Sequence, residues 1–318
     1  MESEQIDLLI NEVIKRLETE GLISSQMQKN SARSTESNPG DKSKDPNQSF
    51  NINSGMGLQT ISIDLDDPTK PVHRGKPLVD NSQDPEALLA LMSTTTARIG
   101  VGRAGVRPKT ESLLLFQSDF AVSQDALYKE VSQDLLKRMG LFTVNTLITE
   151  GKTEYLLRPD LGRSLSQEAK SILESKCIKN PNIQICVGDG LSASAIEANL
   201  EKIFPVLQSG CQIAGLSMGT SFFIQNCRVG VMNDIGDIIE PEVLILLIGE
   251  RPGLGRADSM SAYMAYRPQK GHSDADREVI CNIFDNGGTN PLEAGAYAIR
   301  LAQDMIKNKG SGVKMKMA

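Results

Sequence analysis

Two glycine-rich stretches, each following an apolar run, carry the residue types best suited to meet a ligand. The first is Val187-Gly-Asp-Gly-Leu-Ser-Ala193, in which Gly188, Gly190 and Ala193 match G-x-G-x-x-A. Glycines there let a ligand approach the backbone, and a helix start offers free N–H groups to a phosphate. The acidic residue that would hold a ribose is missing, because the next strand-like run ends in Gln225-Asn226. Two readings stay open: the dinucleotide cradle of an oxidoreductase, and an ordinary tight strand-to-helix turn. The second stretch is Ile248-Gly-Glu-Arg-Pro-Gly-Leu-Gly255. A carboxylate at the end of a buried strand, followed by Arg251, Pro252 and glycines, makes a rigid and sterically open rim. Glu250 can there accept hydrogen bonds from ligand amides, where an unpaired polar group is costly. The alternative is a Glu250–Arg251 pair that only braces a turn.

Other chemistry has little to work with. The histidines are His73 and His272 alone, so neither a Ser-His-Asp triad nor a poly-histidine metal site is expected. The cysteines, Cys177, Cys186, Cys211, Cys227 and Cys281, are odd in number, widely spaced and without a C-x-x-C pair. They read as small core residues in a reducing compartment, not as a disulfide framework or zinc site. Gly287-Gly-Thr-Asn-Pro291 reads as the start of a helix, capped by Thr289 or Asn290, and not as a phosphate loop. A net charge of -6 argues against a nucleic-acid partner. The chain has no continuous apolar run long enough for a membrane-spanning helix, and its acidic N-terminus lacks the apolar core of a secretion signal.

The elements that must position these residues begin with an amphipathic helix over residues 4–20, its stripe made by Ile6, Leu9, Ile10, Val13 and Leu17. Such a stripe either docks on another protein or folds back onto the main domain. A polar stretch rich in Ser, Asn, Asp, Lys and Pro follows and reads as flexible linker, with a brief pairing segment at 61–65. The domain plan is thus a helix at 1–22, a linker at 23–83, a helical subdomain at 84–141 and an α/β domain at 142–318. Asp84-Pro85 starts a helix in the subdomain, and a glycine-rich loop there carries Arg103 between Arg98 and Arg107. Helices are expected at 110–120 and at 123–139, the second closed by Gly140. Beyond it, strands are expected at 142–148, 155–158, 183–187, 221–225 and 243–248. Helices are expected at 165–177, 192–208, 274–284 and 290–308. The runs at 183–187 and 243–248 are near-continuously apolar, as strands covered on both faces are. The alternation predicts an α/β fold, a mostly parallel sheet with helices on both faces, binding ligands beyond the C-terminal ends of its strands.

Five segments carry a specific resemblance. Ser93-Thr-Thr-Thr-Ala-Arg-Ile-Gly-Val-Gly-Arg-Ala-Gly105, Arg158-Pro-Asp-Leu-Gly-Arg163, Gly188-Asp-Gly-Leu-Ser192, Gly249-Glu-Arg-Pro-Gly-Leu-Gly255 and Asp276-Arg277 resemble, in order and spacing, the ethanolamine ammonia-lyase small subunit family over roughly residues 84–310. The resemblance implies a light chain that helps enclose adenosylcobalamin against a TIM-barrel large subunit, in an enzyme that converts ethanolamine to acetaldehyde and ammonia. It implies no catalytic residue and no metal ligand in this chain. It places cofactor contacts at Val229, at Glu250 and just after Asp276-Arg277. At the last position Val279 stands where some relatives have a cysteine, and Cys281 follows two residues later, so that contact is expected from backbone or packing. Val229 also reads as plain core packing. The helix at 4–20 looks like the targeting helices of proteins packaged in bacterial microcompartments. That likeness implies shell or cargo proteins as partners and a place inside such a compartment in the bacterial cytoplasm. The alternatives from the residues alone are a nucleotide-binding oxidoreductase and a non-catalytic scaffold subunit.

Overall fold

The computed structural model describes residues 75–316, apart from 96, 255 and 286. The expected helix at 4–20, the pairing segment at 61–65 and most of the linker lie outside the described residues.

The first helix, α1 (Pro85–Ser93), starts as its sequence predicts: the Asp84 side chain accepts from the Ala87 N–H at 2.9 Å, and Pro85 occupies the first turn. The glycine-rich loop after it forms a small antiparallel hairpin, β1 (Arg103–Ala104) with β2 (Arg107–Pro108). Its turn needs a left-handed residue, supplied by Gly105 at φ +63°. Next come α2 (Thr110–Tyr128) and α3 (Gln133–Arg138), the latter followed by Gly140 at φ +66°. The break between helices falls at Lys129, later than expected, because no residue near 121–122 interrupts the backbone hydrogen bonds.

The remaining elements alternate: β3 (Phe142–Asn145), α4 (Lys152–Leu157), α5 (Gln167–Lys176), β4 (Ile183–Gly188), α6 (Ala193–Ile213), β5 (Phe222–Gln225), α7 (Met232–Ile239), β6 (Val243–Gly249), β7 (Met260–Tyr266), β8 (Glu278–Ile283), α8 (Pro291–Asn308) and α9 (Val313–Lys316). They build one six-stranded sheet of order β3-β5-β4-β6-β7-β8. The first four strands are parallel, and β7 and β8 are antiparallel. In β4 and β6 every residue is buried. Ile183, Ile185, Val187, Val243, Ile245 and Leu247 face α3, α6 and α8, while Cys186, Leu244, Leu246 and Ile248 face α5 and α7. Each such apolar side chain contributes ~1.5–3 kcal/mol on burial. The α/β reading, a mostly parallel sheet with helices on both faces, is what the chain adopts.

Two expected elements are of another type. Residues 155–157 belong to helix α4 and Arg158 is its C-cap: Glu154 turns back to accept the N–H groups of Thr149 and Glu150 at 2.8 Å, anchoring the turn. A short apolar run such as Tyr-Leu-Leu cannot by itself tell helix from strand. Residues 274–284 form one turn and then a strand. Ser273 and Asp276 cap that turn reciprocally, but Arg277 is extended at φ -120°, ψ 150°, and β8 pairs with β7. Helix α7 and strand β7 were not anticipated as elements.

Candidate functional site

Three loops meet beyond the C-terminal ends of β4, β5 and β6, and buried electrostatics fixes them to one another. Asp189, directly after β4, is buried. Its Oδ2 accepts from Lys152 Nζ at 2.6 Å and from the Asn226 N–H at 3.0 Å, and its Oδ1 from the Cys227 N–H at 2.9 Å. Tyr155 is buried on α4 and its hydroxyl donates to the Cys227 carbonyl at 2.7 Å. Burial, and then the Asp189 charge, push that phenol well above its ordinary pKa, so it remains a donor. The Arg228 guanidinium lies 4.2 Å from the centre of the Tyr155 ring, and its Nη2 donates to the Tyr155 carbonyl at 3.3 Å. Residues 226–228 are thereby held from several directions, and Val229 follows them in a short 3-10 turn.

The glycines of the first loop serve this packing. A Cβ on Gly190, at φ +57°, would stand 2.2 Å from the Gly249 carbonyl oxygen, and one on Gly188 would stand 2.6 Å from Cys227 Sγ. The neighbouring loops thus pack directly against both glycines, and the Asp189 carboxylate between them is taken up by Lys152 and the 226–227 backbone. The loop is a tight turn, not a dinucleotide cradle.

Glu250 opens the third loop, and its partners are not the adjacent arginine. Ser259 Oγ donates to its Oε2 at 2.6 Å, while Ser261 Oγ at 2.5 Å and the Asn282 N–H at 2.9 Å donate to its Oε1. An ionised carboxylate offers about four lone-pair sites, so one on Oε2 stays available. Asn282 reaches this position because it is left-handed, at φ +55°, where the β7–β8 register shifts. Arg251 is exposed and makes no ion pair among the described residues.

Val229 and Glu250 line one cleft of about 250 Å³, together with Tyr155, Gly190, Arg228 and Tyr263. Val229 is half-buried and also packs on the apolar cluster beneath it, as the core-packing reading expects. Val279 is not in the cleft lining. It stands on β8 opposite Tyr263, 46% exposed, one strand further out. Tyr263, Ser259, Ser261 and Asn282 were missed in the sequence, since β7 was not recognised as a strand. Reading Met260–Tyr266 as strand would have put Ser261 and Tyr263 on one face.

No group of three or more His, Cys, Asp or Glu side chains that could hold a metal occurs among the described residues. Cys177, Cys186, Cys211 and Cys227 are buried, and burial raises their thiols, Cys177 to about 11 and Cys211 to about 12. Cys281 departs from the core reading: it is exposed, on β8. No helix among the described residues is long and apolar enough to cross a membrane.

The relatives share this architecture's sequence across nearly all of the described residues. The family model described as "Ethanolamine ammonia-lyase light chain (EutC)" matches residues 85–316. A small subunit of ethanolamine ammonia-lyase from Clostridium perfringens is 46% identical over 239 residues, which is 75% of this chain and 80% of the relative. One from Clostridioides difficile is 44% identical over 252 residues, 79% and 85% of the two chains. One from Lachnoclostridium phytofermentans is 40% identical over 273 residues, 86% and 92%. A match that spans both buried strands, the Asp189 clamp and the Glu250 loop shows that this chain belongs to the ethanolamine ammonia-lyase light chain family.

Proposed function

We propose that this chain works as the small subunit of an adenosylcobalamin-dependent ethanolamine ammonia-lyase, closing a cofactor pocket against a TIM-barrel large subunit. The observation that carries the reading is the Glu250 carboxylate, oriented by three donors and left with one acceptor site at the edge of the cleft. Bound adenosylcobalamin supplies the radical chemistry that turns ethanolamine into acetaldehyde and ammonia. Glu250 would accept a hydrogen bond from a peripheral amide of the corrin. Val229 would offer apolar surface from the same cleft, and the β8 backbone around Val279 would give a further contact. The chain supplies no catalytic residue. It binds, orients and excludes water.

A large-subunit partner also accounts for the surface of α1 and α2. Helix α1 buries none of its residues, and α2 buries Ser112, Asp119, Ser123 and Ala126 while leaving Leu113, Leu114, Phe116 and Phe120 exposed. Such a face needs cover. Ser123 Oγ donates to the Gly253 carbonyl at 2.9 Å, so this arm is tied to the Glu250 loop. Residues 1–22 are proposed as an address helix for microcompartment shell or cargo proteins in the bacterial cytoplasm, 23–83 as its tether, 84–141 as the helical arm and 142–318 as the cofactor-contacting domain. The test of the central reading is Glu250→Ala in the assembled two-subunit enzyme. Corrinoid retained through gel filtration should fall with assembly intact. Unchanged retention makes the chain a scaffold that touches no cofactor.

A further inference from the structure

A groove of about 1120 Å³ runs between α1, the glycine-rich loop and the first turns of α2. Its wall is mainly apolar, with Leu89, Met92, Ile99, Val101, Leu113 and Phe116 in the lining. Hydrogen bonds fix the floor: the Gly102 N–H donates to Ser112 Oγ at 3.1 Å, and the Gly102 carbonyl accepts from the Lys109 N–H at 2.9 Å. Arg98 braces the side, pairing with Asp119 and lying 5.5 Å from the centre of the Phe116 ring. Yet α1 buries none of its residues, and Leu89 and Phe116 are 48% and 42% exposed. An apolar wall of this size needs cover.

The chain itself leads into the groove. Gly75, Lys76 and Leu78 form one lip. The Leu78 N–H donates to the Gly100 carbonyl at 2.8 Å, and a Cβ on Gly102 would stand 2.1 Å from the Leu78 carbonyl oxygen. The backbone at Leu78 therefore lies directly on the glycine-rich loop. Ten residues before Gly75 stands Leu65, the end of Ile61-Ser-Ile-Asp-Leu65. Its alternation puts Ile61, Ile63 and Leu65 on one face of an extended segment. Ten extended residues reach about 33 Å, against about 14 Å for the nine-residue α1, so the chain can turn back across the groove. A segment on so short a tether competes at high effective concentration with any separate chain. Charge agrees with the fit. Asp64, Asp66 and Asp67 accompany the apolar residues, and the groove's rim carries Arg103 with Arg107 paired across the hairpin from Ala104. Neither arginine makes an ion pair among the described residues.

We infer that residues 61–65 of the same chain occupy this groove, with Ile61, Ile63 and Leu65 against its apolar wall and the acidic residues at its basic rim. The inference goes beyond the proposed function and does not depend on it. Leu114 and Phe120 lie outside the groove and remain the face offered to a large subunit.

Amide hydrogen exchange on the full chain tests this, first alone and then with the large subunit. The variants are Ile61→Ser, Ile63→Ser and Leu65→Ser made together, and Leu89→Asp on the groove wall. The triple change should speed exchange over residues 86–101 and 111–116 by at least about tenfold, and Leu89→Asp should do the same over 61–65. Peptides from β4 and β6 should stay as protected as in wild type in both variants, which separates loss of docking from loss of fold. Groove peptides that exchange equally fast in wild type and in the triple variant overturn the inference. So does protection that appears only when the large subunit is added, which assigns the groove to that chain. Protection that rises with protein concentration assigns it to a second copy and overturns the inference as well.

Discussion

Replacing Lys152 by Met tests whether the Asp189 clamp organises the cleft. The Lys152 and Asp189 side chains are 10% and 3% exposed and meet at 2.6 Å. Met keeps most of the Lys stem but removes the charge, leaving a buried carboxylate with only its two backbone donors from Asn226 and Cys227. Breaking a buried pair from one side costs about 3–5 kcal/mol. Because Asp189 keeps those two N–H bonds, the lower end, about 3 kcal/mol, is expected. For a folded unit of this size that lowers Tm by roughly 6–12 °C. The double variant Lys152→Met, Asp189→Asn no longer buries a charge. It should therefore be less destabilised than the two single changes summed, by about 1–3 kcal/mol of coupling. Urea unfolding of the full chain, wild type against both singles and the double, measures this. A Lys152→Met chain within about 0.5 kcal/mol of wild type, or strict additivity in the cycle, refutes the argument that this pair holds residues 226–229 in place.

Gly190→Ala should be poorly tolerated, because φ +57° and a Cβ 2.2 Å from the Gly249 carbonyl force the β4 and β6 loops apart; a loss of soluble full chain or of more than about 2 kcal/mol in unfolding is expected. The Asp276 carboxyl is held at about 2, below its ordinary 3.8, first by the Ser273 N–H and then by Lys314. A lowered folded-state pKa gives stability that is fully present above about 3.8 and lost as pH falls towards 2. Unfolding midpoints of wild type and Asp276→Asn should therefore differ near pH 6 and converge between about pH 4 and 2. Thiol labelling of the native full chain should modify Cys281 quickly and spare Cys177, Cys186, Cys211 and Cys227, each read by peptide mass; rapid labelling of any of the four contradicts their burial.

Legibility in the sequence followed burial and capping. Strands β4 and β6 could be read because both faces are covered, which leaves an unbroken apolar run. Helices α1 and α8 could be read from their caps, Asp84 and Asn290. Strand β8 could not: it is an edge strand with alternating exposure, and the acidic turn before it imitates a helix start. Strand β7 is built from Met, Ser, Ala and Tyr, of which only Tyr favours strands, and its burial comes from its neighbours. At the site, Glu250 was legible as a polar residue closing a buried strand. Its real partners, Ser259, Ser261 and Asn282, depended on β7 and β8 and stayed hidden with them. The Lys152–Asp189 pair links residues 37 positions apart, and no local pattern announces such a contact. Val229 and Glu250 do line one cleft, while Val279 stands outside its lining.

The central claim is that this chain completes a corrin pocket which its barrel-shaped partner cannot close alone. Cobalamin affinity, measured by equilibrium dialysis on the large subunit by itself and on the assembled pair, tests it most directly. Binding should be strong only in the pair. Equal affinity and full ethanolamine turnover by the large subunit alone would contradict the account.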